Sequence, residues 1–416
     1  MNLCKKILTF ILPLLATVLS QSCVLENINN DEPKQGTDDE HTMLVLHIMK
    51  LDGAGKVVDE TDNINEIVKD LRIIIINEKG EIESNDLITS DEFLSDGDSN
   101  ELYYLFKVLE PGKRKFYMFA NEGSVTDLEG TENVSLSSYL AGISVGSNAS
   151  EFESVINSVW FKPSYKLDGN EIALPYSSFY ELDMKAGLRY EQPIYLVPVA
   201  TKICFNFFNN REYQVNVTGL GISSVADTNF LMGQPAKEEQ TKIYNGEFLY
   251  WIDWLAKVSE ESNKYPDFIP NVGFNEQNGW ILNYNLPSAA SHSEKKFIDA
   301  DNEKDFIEIE GRKVVTGGSP IPGTKTLPYC YLPESSFFQS SKSLQQEYFL
   351  NINLEDRNPD VDKVEPVSVP LSNIKALFRN TRVIINVNFN EGTDEIYVEI
   401  RSWFSTDYFF GTVTNA

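Results

Sequence analysis

The chain has 416 residues, with 62 acidic side chains against 35 basic ones and a formal net charge of −27. That length allows two or three domains. The acidic excess argues against nucleic acid and anionic lipid surfaces as partners, because both would repel it. Three scattered histidines, and cysteines without CxxC spacing, give no pattern for a metal or redox centre.

Residues 1–22 read as a leader. Lys5 and Lys6 precede a 13-residue apolar run, Ile7 to Leu19, which is too short to span a bilayer and suits a secretory h-region. Ser20-Gln21-Ser22 then lead into Cys23, which resembles the lipobox of a bacterial lipoprotein. The resemblance implies acylation of Cys23 as the mature N-terminus, and the alternative is an ordinary signal peptide. Removing residues 1–22 takes away two lysines and no acid, moving the charge from −27 to −29. Residues 23–43 are polar and acidic, with a Pro and a Gly and no hydrophobic period, so they predict a flexible tether. Beyond the leader no second apolar run approaches 18 residues.

From Met43 the texture becomes short β-type runs between turns. Leu44 to Met49 reads as a first strand. Ile73 to Ile76, inside Val68 to Asn77, is a β-branched run of the kind buried on both faces. Glu78 to Glu81 turns it. Leu102 to Leu109 and Lys115 to Ala120 follow, separated by Pro111-Gly112. Ser135 to Leu140 and Glu151 to Phe161 are the helical candidates. A second β-rich unit begins near Gln192, with Pro193 to Ala200 leading into Lys202 to Phe208. Glu347 to Leu354 is a later strand, and Val383 to Phe389 with Glu395 to Trp403 flank a turn and form the clearest hairpin signal. Regular short strands with turns between them predict an all-β (minor α) chain of sandwich type. The domain reading is a leader at 1–22, a tether at 23–43, an N-terminal β-sandwich at 44–190 and a C-terminal one at 191–416.

Chemistry-bearing patterns are sparse. Asp299 to Asp305 with Glu310 mimics the spacing of a calcium loop, but Lys304 stands where the turn needs Gly. Trp251 and Trp254, beside Tyr250, offer a sugar-stacking platform or an ordinary core cluster. No nucleophile elbow, phosphate loop or zincin helix is present, and no cofactor or metal is expected. Cys204 and Cys330 fit buried thiols or a disulfide, and the apolar run around Cys204 favours thiols.

Several stretches, in order, resemble the fimbrillin family of Bacteroidales, the two-domain subunits of lipoprotein-derived (type V) fimbriae. They are Val68 to Gly80, Lys115 to Asn121, Val199 to Ile203, Tyr331 to Ser335 and Ala376 to Val387, with the closing strand ending at Trp403. The resemblance covers essentially the whole chain. It implies two tandem transthyretin-like β-sandwich domains and a non-enzymatic structural or adhesive role at the outer membrane or cell surface. The partners it implies are other fimbrial subunits, the outer membrane through the lipid, and a surface receptor on a host or bacterium. Assembly in that family is by strand exchange, in which trimming removes a first strand and a neighbour's terminal strand replaces it. Here Leu44, Leu46 and Ile48 would belong to the exchanged or retained strand. Tyr408, Phe409, Phe410 and Val413 would belong to the donor, or else to a last strand of the chain's own sandwich. The family's arginine cleavage site is missing, since no arginine precedes Arg72; Lys50 and Lys56 remain for another protease. A monomeric glycan-binding surface lipoprotein using Trp251 and Trp254 is the competing reading.

Overall fold

A computed structural model describes residues 41–50, 68–93, 101–129, 134–163, 173–233, 294–298, 306–316, 318–327, 330–336, 348–358, 361–371, 376–377, 379, 381–391, 395–402 and 412–415. The architecture is all-β, as the sequence predicts, with two short α-helices among the described residues.

The first half contains β1 (Thr42–Lys50), β2 (Asp70–Ile76), β3 (Ile82–Thr89), β4 (Glu101–Leu109), β5 (Gly112–Ala120), α1 (Leu136–Ala141), α2 (Ser150–Ile156), β6 (Trp160–Phe161), β7 (Tyr176–Met184) and β8 (Leu188–Pro198). Its main sheet runs β3-β2-β5-β7-β8-β1-β4. The β3-β2-β5-β7 part faces the β8-β1-β4 part, and one core of Leu44, Leu46, Ile48, Ile73, Ile75, Phe116, Met118, Tyr180, Ile194 and Leu196 fills the space between.

β2 shows why a β-branched run was needed. Leu71, Ile73 and Ile75 enter that core, while Ile74 and Ile76 enter a second one beneath α1 and α2, with Tyr117, Phe119, Leu140, Phe152 and Ile156. Both faces are dry, so no polar alternation is possible. The turn after β2 closes through Asn77, whose Oδ1 accepts the amides of Lys79 and Glu81, and Gly80 supplies the left-handed φ of 77°. Arg72, inside this strand, is held by a bidentate pair with Glu122 at 2.6 and 2.8 Å, both side chains buried. Asn121, at the strand end the sequence singled out, takes φ 56°. Its side chain accepts from Lys69 N and donates to Leu174 O, which makes the conformation tolerable.

The second half contains β9 (Thr201–Asn209), β10 (Val215–Ser223), β11 (Asn229–Phe230), β12 (Glu294–Ile298), β13 (Ile307–Ile309), β14 (Gly323–Thr326), β15 (Cys330–Leu332), β16 (Ser335–Ser336), β17 (Tyr348–Asn358), β18 (Val361–Leu371), β19 (Ala376–Leu377), β20 (Thr381–Phe389) and β21 (Glu395–Ser402). One sheet runs β12-β10-β17-β18, with β13 also on β10; the other runs β14-β9-β20-β21, with β15 also on β9. Ile203, Phe205, Phe207, Val217, Leu220, Leu350, Ile352, Val383, Ile385 and Val387 pack between them. The last strand, β22 (Thr412–Asn415), returns to the first half and pairs with β8.

One sequence reading is corrected here. Pro193 to Pro198, placed at the head of the second unit, runs in the first sheet, where β8 pairs with β1 and β7. Cys204 and Cys330 are buried thiols not joined in a disulfide, the alternative that the apolar run around Cys204 favours. Cys330 sits opposite Ile203 in the β15–β9 ladder, so the adjacent Cys204 points to the other face of the sheet and no bridge can form.

Candidate strand-exchange site

β1 has the sequence TMLVLHIMK. Its even-numbered apolar side chains Leu44, Leu46 and Ile48 are wholly buried. β1 is an inner strand: it pairs antiparallel with β4, from Thr42↔Leu109 to Met49↔Glu101, and parallel with β8, from Met43↔Arg189 to Lys50↔Leu196. Both backbone edges are therefore used. At its start Thr42 Oγ1 donates to Lys185 O at 2.9 Å, and Gly187 N donates to His41 O at 2.9 Å. On the outer face His47 Nε2 lies 3.0 Å from Glu191 Oε1 on β8.

Three such side chains contribute on the order of 5–9 kcal/mol by burial, an upper bound that is comparable to the whole stability of an ordinary domain. Taking β1 away leaves an apolar slot between two unpaired edges, a state that needs another strand to fill it.

The far side of the slot is β4, the outermost strand of the sheet among the described residues. Lys107 of β4 is opposite Leu44, so it shares the inward face, and its Nζ reaches Asp86 Oδ2 of β3 at 2.8 Å. An inward-pointing lysine on an outer strand discourages a foreign strand from adding there. Tyr103 lies on the same seam; partial burial first, then Glu92 and Asp86, raise its hydroxyl pKa. The seam is thus bridged by side chains rather than by a ladder.

Of the donor candidates, Val413 lies in β22, opposite Tyr190 of β8, while Thr412, Thr414 and Asn415 face Glu191, Arg189 and Leu188. β22 occupies the edge of β8 opposite to the one used by β1. Cys23, Trp251, Trp254, Tyr408, Phe409 and Phe410 fall outside the described residues, as do Lys56 and Asp299 to Asp305.

Two stretches that carried the family resemblance meet in space, which sequence spacing alone could not show. Glu334 and Arg379 are both buried. Arg379 Nε and Nη2 donate to Glu334 Oε2 at 2.8 and 2.6 Å, and its backbone N donates to Oε1 at 2.9 Å. The same guanidinium donates to Ser177 Oγ of β7, to Leu231 O and to Phe230 O. One arginine therefore ties the second half to β7 of the first, with β16 and β19 pairing alongside. A charge placed this way is stable only because every donor has a partner.

No family model matches the chain, and no curated protein matches it. Solved structures similar to it include the tip fimbrial protein Mfa3 from Porphyromonas gingivalis, with a C-terminal truncation, at 13% identity and a TM-score of 0.47, covering 87% of this chain and all of that one. A fimbrial assembly protein from Parabacteroides distasonis is similar at 11% identity and a TM-score of 0.40, covering 89% of this chain and 99% of that one.

Proposed function

We propose that this chain is a non-enzymatic structural or adhesive subunit of a cell-surface fimbria, exported as an outer-membrane lipoprotein through Cys23 and joined to neighbouring subunits by strand exchange. The observation that carries the reading is β1, a strand near the chain start, hydrogen-bonded on both edges and burying Leu44, Leu46 and Ile48. A sandwich that keeps so much of its core in one separable strand is suited to accept the same element from a neighbour. The domain reading goes with it, as two β-sandwich bodies behind a leader and a tether. The C-terminal segment that includes Val413 is the donor in this proposal, and its pairing with β8 is its place before donation.

The test is a protease site placed within residues 51–67 of the full chain, cut after folding, with β1 then displaced by a peptide of residues 404–416. Uptake of the peptide with retained thermal stability, and a ladder of high-mass species when intact cut chains are mixed, is the expected result. A cut chain that stays monomeric and takes up no peptide would overturn the proposal. Intact mass of the native protein checks the acyl group on Cys23 separately.

A further inference from the structure

The outer face of the β12-β10-β17-β18 sheet holds a plate of side chains that the assembly reading does not use. Register places them in two rows. Glu294, Ser223, Phe349 and Pro370 form one, and Lys296, Gly221, Asn351 and Ser368 the other. Tyr348, Leu350 and Ile352 point into the core, so Phe349 and Asn351 point out. Glycines keep the plate level. A Cβ on Gly221 would lie 2.7 Å from Glu294 Oε1, and one on Gly219 would lie 2.7 Å from Asn353 Nδ2. Both side chains lie flat where an ordinary residue would lift them.

The polar groups are ordered before any ligand arrives. Asn351 Nδ2 donates to Glu294 Oε1 at 2.7 Å and reaches Ser223 Oγ at 3.3 Å, while Ser368 Oγ donates to Asn351 Oδ1 at 2.7 Å. Beside this row stands the half-buried ring of Phe349, with the exposed ring of Pro370 opposite it. The two rows are about 7 Å apart along the strand, close to the width of a pyranose ring.

The β18 edge of this face resists addition of a polypeptide strand. Pro366 and Pro370 sit on β18, the outer strand among the described residues, and a proline in a paired strand must have its missing N–H on the side away from the partner. The charges of Glu294 and Lys296 within the plate offset one another, and the chain's net charge of −27 disfavours phosphate and other anions.

We propose that this plate binds a neutral, hydroxyl-rich saccharide. One sugar face lies on Phe349 and Pro370, and its hydroxyls donate to Glu294 and exchange hydrogen bonds with Asn351, Ser223 and Ser368. The proposal stands apart from strand exchange, because the plate is complete in a single chain.

The test is saturation-transfer NMR and titration calorimetry of the full monomeric chain with mannotriose, N-acetyllactosamine and cellotetraose. Binding of at least one, weakened about tenfold or more by Phe349→Ala and by Asn351→Ala, is expected. Glu294→Gln, at an exposed position, serves where those variants lose their fold, and it should weaken binding too. No binding by any of the three sugars would overturn the proposal. So would binding that all folded variants leave unchanged, which would place the sugar elsewhere, or association of the plate with a second copy instead, seen as a dimer abolished by Phe349→Ala.

Discussion

The two halves are variations on one strand arrangement. In the second, β9 lies between the antiparallel β14 and β15 and the parallel β20, and β21 covers the other edge of β20. In the first, β1 lies between the antiparallel β4 and the parallel β8, and β22 covers the other edge of β8. The difference is where the strands come from. β21 begins at Glu395, close behind the end of β20 at Phe389, whereas β22 comes from the far end of the chain. β9 is held between β8 and β10 in sequence, whereas β1 is the first described strand. The same layout is thus closed by local sequence in one half and by distant sequence in the other. Among the described residues, the inner strand of the first half is the first in sequence, whereas that of the second half has strands on both sides of it in the chain.

The largest expected effect comes from breaking the tie between the halves. Arg379→Ala strands the buried Glu334 carboxylate and should cost roughly 3–5 kcal/mol. Calorimetry should then show two separate transitions in place of one. Leu46→Ala should cost about 2–5 kcal/mol. Hydrogen exchange should speed up in β4 and β8 and leave β9 and β20 protected; uniform loss of protection would mean that the halves are not distinct folding units. Deleting residues 412–416 should be milder, exposing the amides of 188–191 to exchange while β20 stays protected beneath β21.

Smaller effects follow from two ionisable groups, the half-buried Asp70 in the first half and the buried Cys330 in the second. Burial is the main cause that raises the Asp70 carboxyl above its ordinary 3.8, and the nearby Glu122 carboxylate adds to it, against amide donors that lower it. The folded chain then keeps a proton that the unfolded chain has lost. Stability attributable to Asp70 is full below about pH 4 and falls as pH rises through the raised native value, then levels off. Asp70→Asn should remove that fall from a plot of melting temperature against pH. In the second half, burial and then neighbouring Cys204 push the Cys330 thiol up to about 12. It should resist alkylation at about pH 8 until the second sandwich unfolds.

Much of this fold could be read from the chain because apolar runs report burial directly. Ile73 to Ile76 predicted a strand dry on both faces, and the 383–389 and 395–403 segments predicted the β20–β21 hairpin. β18 was missed because Pro366 and Pro370 argue against a strand, and they are tolerated only because the strand is an outer one. β7 was missed because Ser177, Ser178, Glu181 and Asp183 interrupt its apolar pattern. The membership of β8 was misjudged because its partners, β1 and β7, are set by long-range pairing that has no local signature. Of the candidate exchange site, the strand at Leu44 to Met49 was legible as an apolar run. The flanking of β1 on both edges, the Lys107–Asp86 seam and the Glu334–Arg379 tie were not, since all are long-range.

The position of β1 also has a mechanical meaning. A pull along its length loads the hydrogen bonds to β4 and β8 together, in shear, instead of peeling them one at a time. Any strand seated in that slot, native or borrowed, inherits the same loading. A joint made there would resist steady tension along the strand and yield to a sideways lift, so its strength is set by the direction of the force as much as by the area it buries.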